Sequence, residues 1–231
     1  MKNLFIYCLL IFFNLNCYSQ SKEECFSNLS IFAEYAKVKN YDAAYEPWLK
    51  VRGECPDINS AIYVYGERIL KFYIKNSQGN DKDQYEEDLL DLYDEWLKYF
   101  SKSKSGKQQT GKILAIKAQS MLDYKLADPK EIYDVYDEAF KIDPGSFTTP
   151  KGLYNYFKIY FNLYKAGNAS VSLESLFEKY EELTEKFELE MDVYTSKLDA
   201  LIKKEENDDP LSSREAKNKR VYEVNMIACS T

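Results

Sequence analysis

The chain is 231 residues long, contains no histidine, and carries 38 acidic against 31 basic side chains for a formal charge of −7. Without imidazole, Ser-His-Asp and Cys-His nucleophilic sites, His-ligated zinc and haem held by a proximal His are excluded, and the acidic balance argues against nucleic acid as a partner, because nothing neutralises a phosphate backbone. Hydrophobic residues at 45% and aromatic ones at 16% suffice for a packed core, while eight Gly and six Pro are too few for the turns of a β-sandwich or barrel, so the expected fold class is all-α.

Lys2 precedes the apolar run from Leu4 to Phe13, and a polar stretch follows, which is the order of a secretory signal. The run is shorter than the roughly 17 apolar residues that span a bilayer, so residues 1–19 are read as a cleaved signal peptide. Cys17 and Ser19 occupy the small-residue positions, placing the cut between Ser19 and Gln20. The alternatives are a retained anchor and lipid attachment at Cys17, although Asn14 and Asn16 are not lipobox residues. Export implies the periplasm, the outer membrane or the exterior of a Gram-negative bacterium.

Cys25 opens the first amphipathic segment after the signal and Cys55 closes the second, so an antiparallel helix pair would bring them together. An oxidising compartment favours a disulfide, with two unpaired buried thiols as the alternative. Cys229 then either pairs between chains or belongs to a polypeptide that continues.

Helical periodicity runs through nearly all of the remaining chain. A first pair spans Phe26 to Val38 and Tyr41 to Arg52 across the Lys39-Asn40 turn; a second spans Asn59 to Lys75 and Gln84 to Phe100 across the polar loop NSQGNDKD. The Ser/Lys/Gly-rich segment from Ser101 to Gly111 marks a joint. A third pair spans Lys112 to Lys125 and Lys130 to Ile142 and is stopped by Asp143-Pro144-Gly145. The segment from Leu153 to Tyr164 is apolar almost all round and is expected to be buried. One uninterrupted pattern then covers residues 172–207, in which Phe187, Met191, Tyr194, Leu198 and Leu201 alternate by four and three like a coiled-coil seam. The acidic break EENDDP precedes a last helix from Leu211 to Ile227. The expected organisation is a repeat region over 20–150 and a helical extension over 151–231.

Helix pairs of this length invite a search for repeats. Ala44 and Trp48 with Pro56 eight residues on, then Ile62, Tyr65, Gly66 and Ile69, follow the spacing of a repeat's second helix and of the next first helix. Ile132, Tyr136, Ala139 and Pro144 repeat it. Residues 26–145 thus resemble the tetratricopeptide (TPR) family, and the long helix with its C-terminal partner resembles the coiled extension that follows degenerate TPR segments in exported bacterial proteins. The resemblance implies a concave face lined by first helices, on which Tyr35, Tyr63 and Tyr73 are the candidate partner-binding side chains.

Strings suggestive of chemistry are weak. GKQQTGKI, from Gly106 to Ile113, begins like a phosphate-binding loop but has Ile113 where the Mg²⁺-binding hydroxyl belongs, and no strand precedes it. The acids Asp81, Asp83, Glu86 and Glu87 lack the glycine and spacing of a calcium loop, and the cations Arg214, Lys217, Lys219 and Arg220 fit one solvated helix face. No cofactor or metal set emerges. The expectation is a non-catalytic envelope scaffold that binds a protein or peptide segment and has the long helix as support or self-association contact; the alternative is a glycan-binding module using surface aromatics.

Overall fold

A computed structural model describes residues 22–230, with side chains to residue 226. The expected signal peptide, the Ser19–Gln20 cut, Cys17 and the Cys229 side chain lie outside the described residues. Among those described, every regular element is a helix: α1 over residues 22–37, α2 Tyr41–Glu54, α3 Ala61–Asn76, α4 Gly79–Phe100, α5 Thr110–Tyr124, α6 Pro129–Ile142, α7 Pro150–Lys165, α8 Leu173–Glu206 and α9 Ser213–Ser230. Successive helices pack on one another within two compact units that divide at Ser101 and Lys102.

In the first unit, Lys39 takes a left-handed conformation (φ 62°) and the Asn40 side chain caps α2 by accepting from the Ala43 amide, which makes the tight α1–α2 turn. Cys25 and Cys55 are joined in a disulfide, with Cα atoms 6.3 Å apart, as the hairpin requires. Phe32, Trp48, Ile62, Leu70, Leu92 and Tyr93 are fully buried and supply the centre of the core. The Arg52 guanidinium ties α2 to α4 by donating to Glu95 at 2.9 and 3.1 Å and to Asp88, while lying 5.3 Å over the Trp48 ring. Burial opposes its charge, but the two carboxylates prevail and raise its pKa.

The expected eight-residue loop between α3 and α4 is instead two residues, Ser77 and Gln78. Gly79 starts α4 at φ 59°, and Asp81 sits in the first turn, where a carboxylate complements the exposed amides and the positive end of the helix dipole. What reads as turn composition is helix.

In the second unit, α5 and α6 form a hairpin whose ends meet closely: a β-carbon on Gly111 would lie 2.1 Å from the Asp143 carbonyl oxygen. The rings of Tyr136, Phe147 and Tyr156 stack between α6 and α7, with Tyr136 and Phe147 5.8 Å apart and Tyr136 and Tyr156 5.9 Å apart. This continuous aromatic packing puts the third helix pair in one compact unit with α7 and α8.

α8 is 34 residues, about 50 Å of helix, opened by a reciprocal Ser172/Ser175 capping box. Its C-terminal half is covered by α9: Tyr194 meets Tyr222 at 5.7 Å, Lys204 pairs with Glu215 and Lys219 with Glu205. The final helix therefore covers the seam of Tyr194 and its neighbours.

Candidate functional site

The three tyrosines expected on a binding face occupy three different environments. Tyr63 has no exposed surface: its ring stacks on Trp96 and its hydroxyl donates to the Pro56 carbonyl, so it is core and cannot meet a partner in this fold. Tyr73 is half-buried between Tyr45 and Tyr85 and donates to Asp42 at 2.9 Å; burial first and the Asp42 carboxylate second push its phenol above the ordinary range. Tyr35 alone is exposed. An inward ring and an outward ring share the spacing of a first helix, and the structure does not bring the three together on one surface.

The other sequence candidates resolve into structural roles. In the loop resembling a phosphate site, Gly106 is a left-handed turn residue (φ 80°), the Gly111 amide donates to the Asp143 carboxylate at 3.2 Å, and the Lys112 amide donates to Ser146 Oγ at 2.9 Å. The Gly111 and Lys112 amides at the end of that loop are thus engaged by the chain itself. Among the acids of α4, Glu86 pairs with Lys82 along the helix. Lys219 of the basic cluster pairs with Glu205 and Glu223. Cys25, Cys55 and Glu54 place three potential ligand atoms within 4.8 Å of one another, but the two sulfurs are bonded to each other.

The surface that stands out lies between α7 and α8. Leu153, Tyr154, Phe157, Tyr180, Leu183, Thr184 and Phe187 line a groove of about 200 Å³. α7 was expected to be buried all round, yet Tyr154 is 58% exposed and Phe161 41%, because α8 covers only one side of it. Across the groove on α8, Phe177 and Tyr180 are 60% and 52% exposed. Phe157 joins the two walls, 5.5 Å from Tyr180 and 6.4 Å from Phe161. Lys158 lies over the Tyr154 ring and Lys165 over the Phe161 ring, forming a cationic border. The signal was present in the sequence: the four-three alternation starts at Leu173 and passes through Phe177, Tyr180 and Thr184 before reaching Phe187.

A polar network beneath the groove fixes the helices that form it. Asp137 on α6 accepts hydrogen bonds from the Tyr156 and Tyr133 hydroxyls and pairs with Lys141 and with Lys179 of α8. Lys179 is itself sandwiched over the Tyr156 and Phe140 rings, at 5.2 and 5.7 Å. Burial alone would raise the Asp137 pKa, but the bonds from Lys141 and Tyr156 and the Lys179 charge hold it below the usual carboxylate range. The same burial, reinforced by Asp137, pushes the Tyr156 phenol far up, so this hydroxyl is a fixed donor and is poorly suited to proton transfer. Gln119 accepts from both Tyr136 and the buried Asn155, binding α5 to α6 and α7.

The groove is thus a rigidly supported, aromatic, exposed face with charged borders. Compared with protein-family models, curated proteins and solved structures, the chain matches none.

Proposed function

We propose that this protein is a non-catalytic, exported helical-repeat scaffold of degenerate tetratricopeptide type, and that it binds another protein or a peptide segment in the cell envelope through its α7–α8 face. The observation that carries the reading is the exposure of Tyr154 and Tyr180, which line one groove, and of Phe161 and Phe177, one turn beyond it along the same two helices. Contiguous exposed apolar surface of this kind is costly in water and marks contact faces, and rigid rings with few rotatable bonds are efficient anchors for a protein partner. The supporting network of Asp137, Tyr156 and Lys179 keeps those rings in place before any partner arrives, which lowers the ordering cost of binding.

Glycan binding takes second place. A sugar needs hydrogen-bonding groups in register with its hydroxyls, and of the side chains lining the groove only Tyr154, Tyr180 and Thr184 carry one.

The reading is tested by placing a photo-crosslinking amino acid at position 154 and, as control, at Lys203, which is exposed and away from the groove. Irradiation of cells expressing each variant should give protein adducts from position 154 and not from 203. Equal labelling at both positions, or none at 154, overturns it.

A further inference from the structure

The charged borders of the groove have a matched period. On α7, Lys151, Lys158 and Lys165 are seven residues apart and all exposed; on α8, Glu174, Glu181 and Glu188 are also seven apart and all exposed. At 3.6 residues per turn, a step of seven returns to nearly the same side of a helix, so each set forms a row. The lysine row lies beyond Tyr154 and Phe161, on whose rings Lys158 and Lys165 rest. The glutamate row lies beyond Phe177 and Thr184, on the side of α8 turned away from buried Leu176 and Leu183. The face therefore runs from cation to aromatic groove to anion.

Its register is self-complementary. α7 and α8 are antiparallel, with Tyr160 hydrogen-bonded to Ser175 and Phe157 against Tyr180. A two-fold axis lying in the plane of the interface, parallel to the helices and midway between α7 and α8, brings the two faces together and exchanges the two borders. It sets Lys158 of each copy against Glu181 of the other. Because both rows step by seven and the helices run antiparallel, the same operation sets Lys165 against Glu174 and Lys151 against Glu188, in both directions. A row of like charges on each border would make this arrangement repulsive; opposite rows in matching register make it attractive at every pair.

We propose that the occupant of the α7–α8 groove is the same face of a second copy of this chain, giving an isologous dimer in which the α7–α8 pairs of the two copies pack face to face. The proposal rests on the reading of this face as a protein-binding surface and names its partner. Exposed apolar rings supply the attraction, and the two charge rows select register and orientation.

The test is sedimentation equilibrium of the exported chain, with helicity followed by circular dichroism. The wild type should be a dimer. Lys158→Glu and Glu181→Lys, both at exposed positions, should each keep the helical spectrum and weaken self-association about tenfold or more, because each sets like charges opposite one another twice across the axis. An equimolar mixture of the two variant chains should recover a 1:1 dimer of wild-type affinity, since both cross-axis pairs are then again of opposite sign. A monomeric wild type, or single variants that associate as the wild type does, overturns the proposal, as does a mixture that fails to recover. The photo-crosslink at position 154 separates this failure from that of the broader reading: adducts of twice the chain mass support the second copy, whereas adducts only with other proteins leave the protein-binding face standing and remove the dimer.

Discussion

The Trp48 indole occupies the space that Gly66 leaves open: a β-carbon at position 66 would lie 2.6 Å from the ring nitrogen, which donates to the Ile62 carbonyl at 2.8 Å. The absence of a side chain on α3 lets the largest side chain of α2 lie against the helix backbone and satisfy its own donor there. Gly66→Ala should therefore destabilise the first unit by about 1–3 kcal/mol, as overpacking does. Trp48→Phe should cost a similar amount through the lost hydrogen bond and packing. Because both changes act on one contact, the double variant should fall well short of their sum in chemical denaturation; an additive result would show that the contact does not form.

The disulfide should be visible by non-reducing peptide mapping as a linked pair of peptides containing Cys25 and Cys55. It closes a separation of 30 residues. In the chain-entropy description its reduction should lower the unfolding free energy by roughly 3–4 kcal/mol. If both thiols alkylate freely in protein isolated without reductant, the bridge is absent from the native protein.

Asp137 should control the acid limb of stability. Its folded pKa lies below the ordinary value of 3.8, so its contribution is present above the unfolded-state value and is lost as pH falls through the folded one. Asp137→Asn removes an acceptor shared by α6, α7 and α8 and should cost about 1–3 kcal/mol at neutral pH. It should also flatten the decline in melting temperature below about pH 4. An unchanged acid profile in the variant would show that other carboxylates carry it.

Two tyrosines in equivalent-looking sequence positions should behave in opposite ways. Tyr63→Ala empties a fully buried aromatic position and should destabilise by about 3–5 kcal/mol, in the range for large core truncations. Tyr35→Ala, at an exposed position, should stay within about 0.5 kcal/mol of wild type. Equilibrium denaturation of the two variants side by side decides whether the inside–outside assignment holds.

Much of the helical framework was legible because its signals are local. Ser172 and Ser175 mark the start of α8 within one residue of the expectation, and Asp128-Pro129 and Asp143-Pro144 bound α6. The start of α4 was missed because Gly79, Asn80 and Asp81 have turn composition, while their helical state depends on a favourable first turn and on packing further along. The α7–α8 groove was missed for another reason. Tyr63 and Tyr154 are both tyrosines on amphipathic helices, and only the presence of Trp96 over one and solvent over the other distinguishes them. Such choices lie in tertiary neighbours, which periodicity cannot name. The alternation from Leu173 onward did carry the groove, but Thr184 interrupts its apolar character and made the seam read as starting at Phe187.

The start of α5 is held by side chains from beyond α6. Asp143 and Ser146 reach the first amides of that helix from the end of α6, so a helix terminus that would otherwise attract free anions carries a tethered one. A dissolved phosphate or sulfate would have to compete there with a carboxylate whose local concentration is set by a short stretch of chain. The lookalike phosphate loop is therefore better described as a helix start with its anion built in, and the same bond holds the ends of the α5–α6 hairpin together.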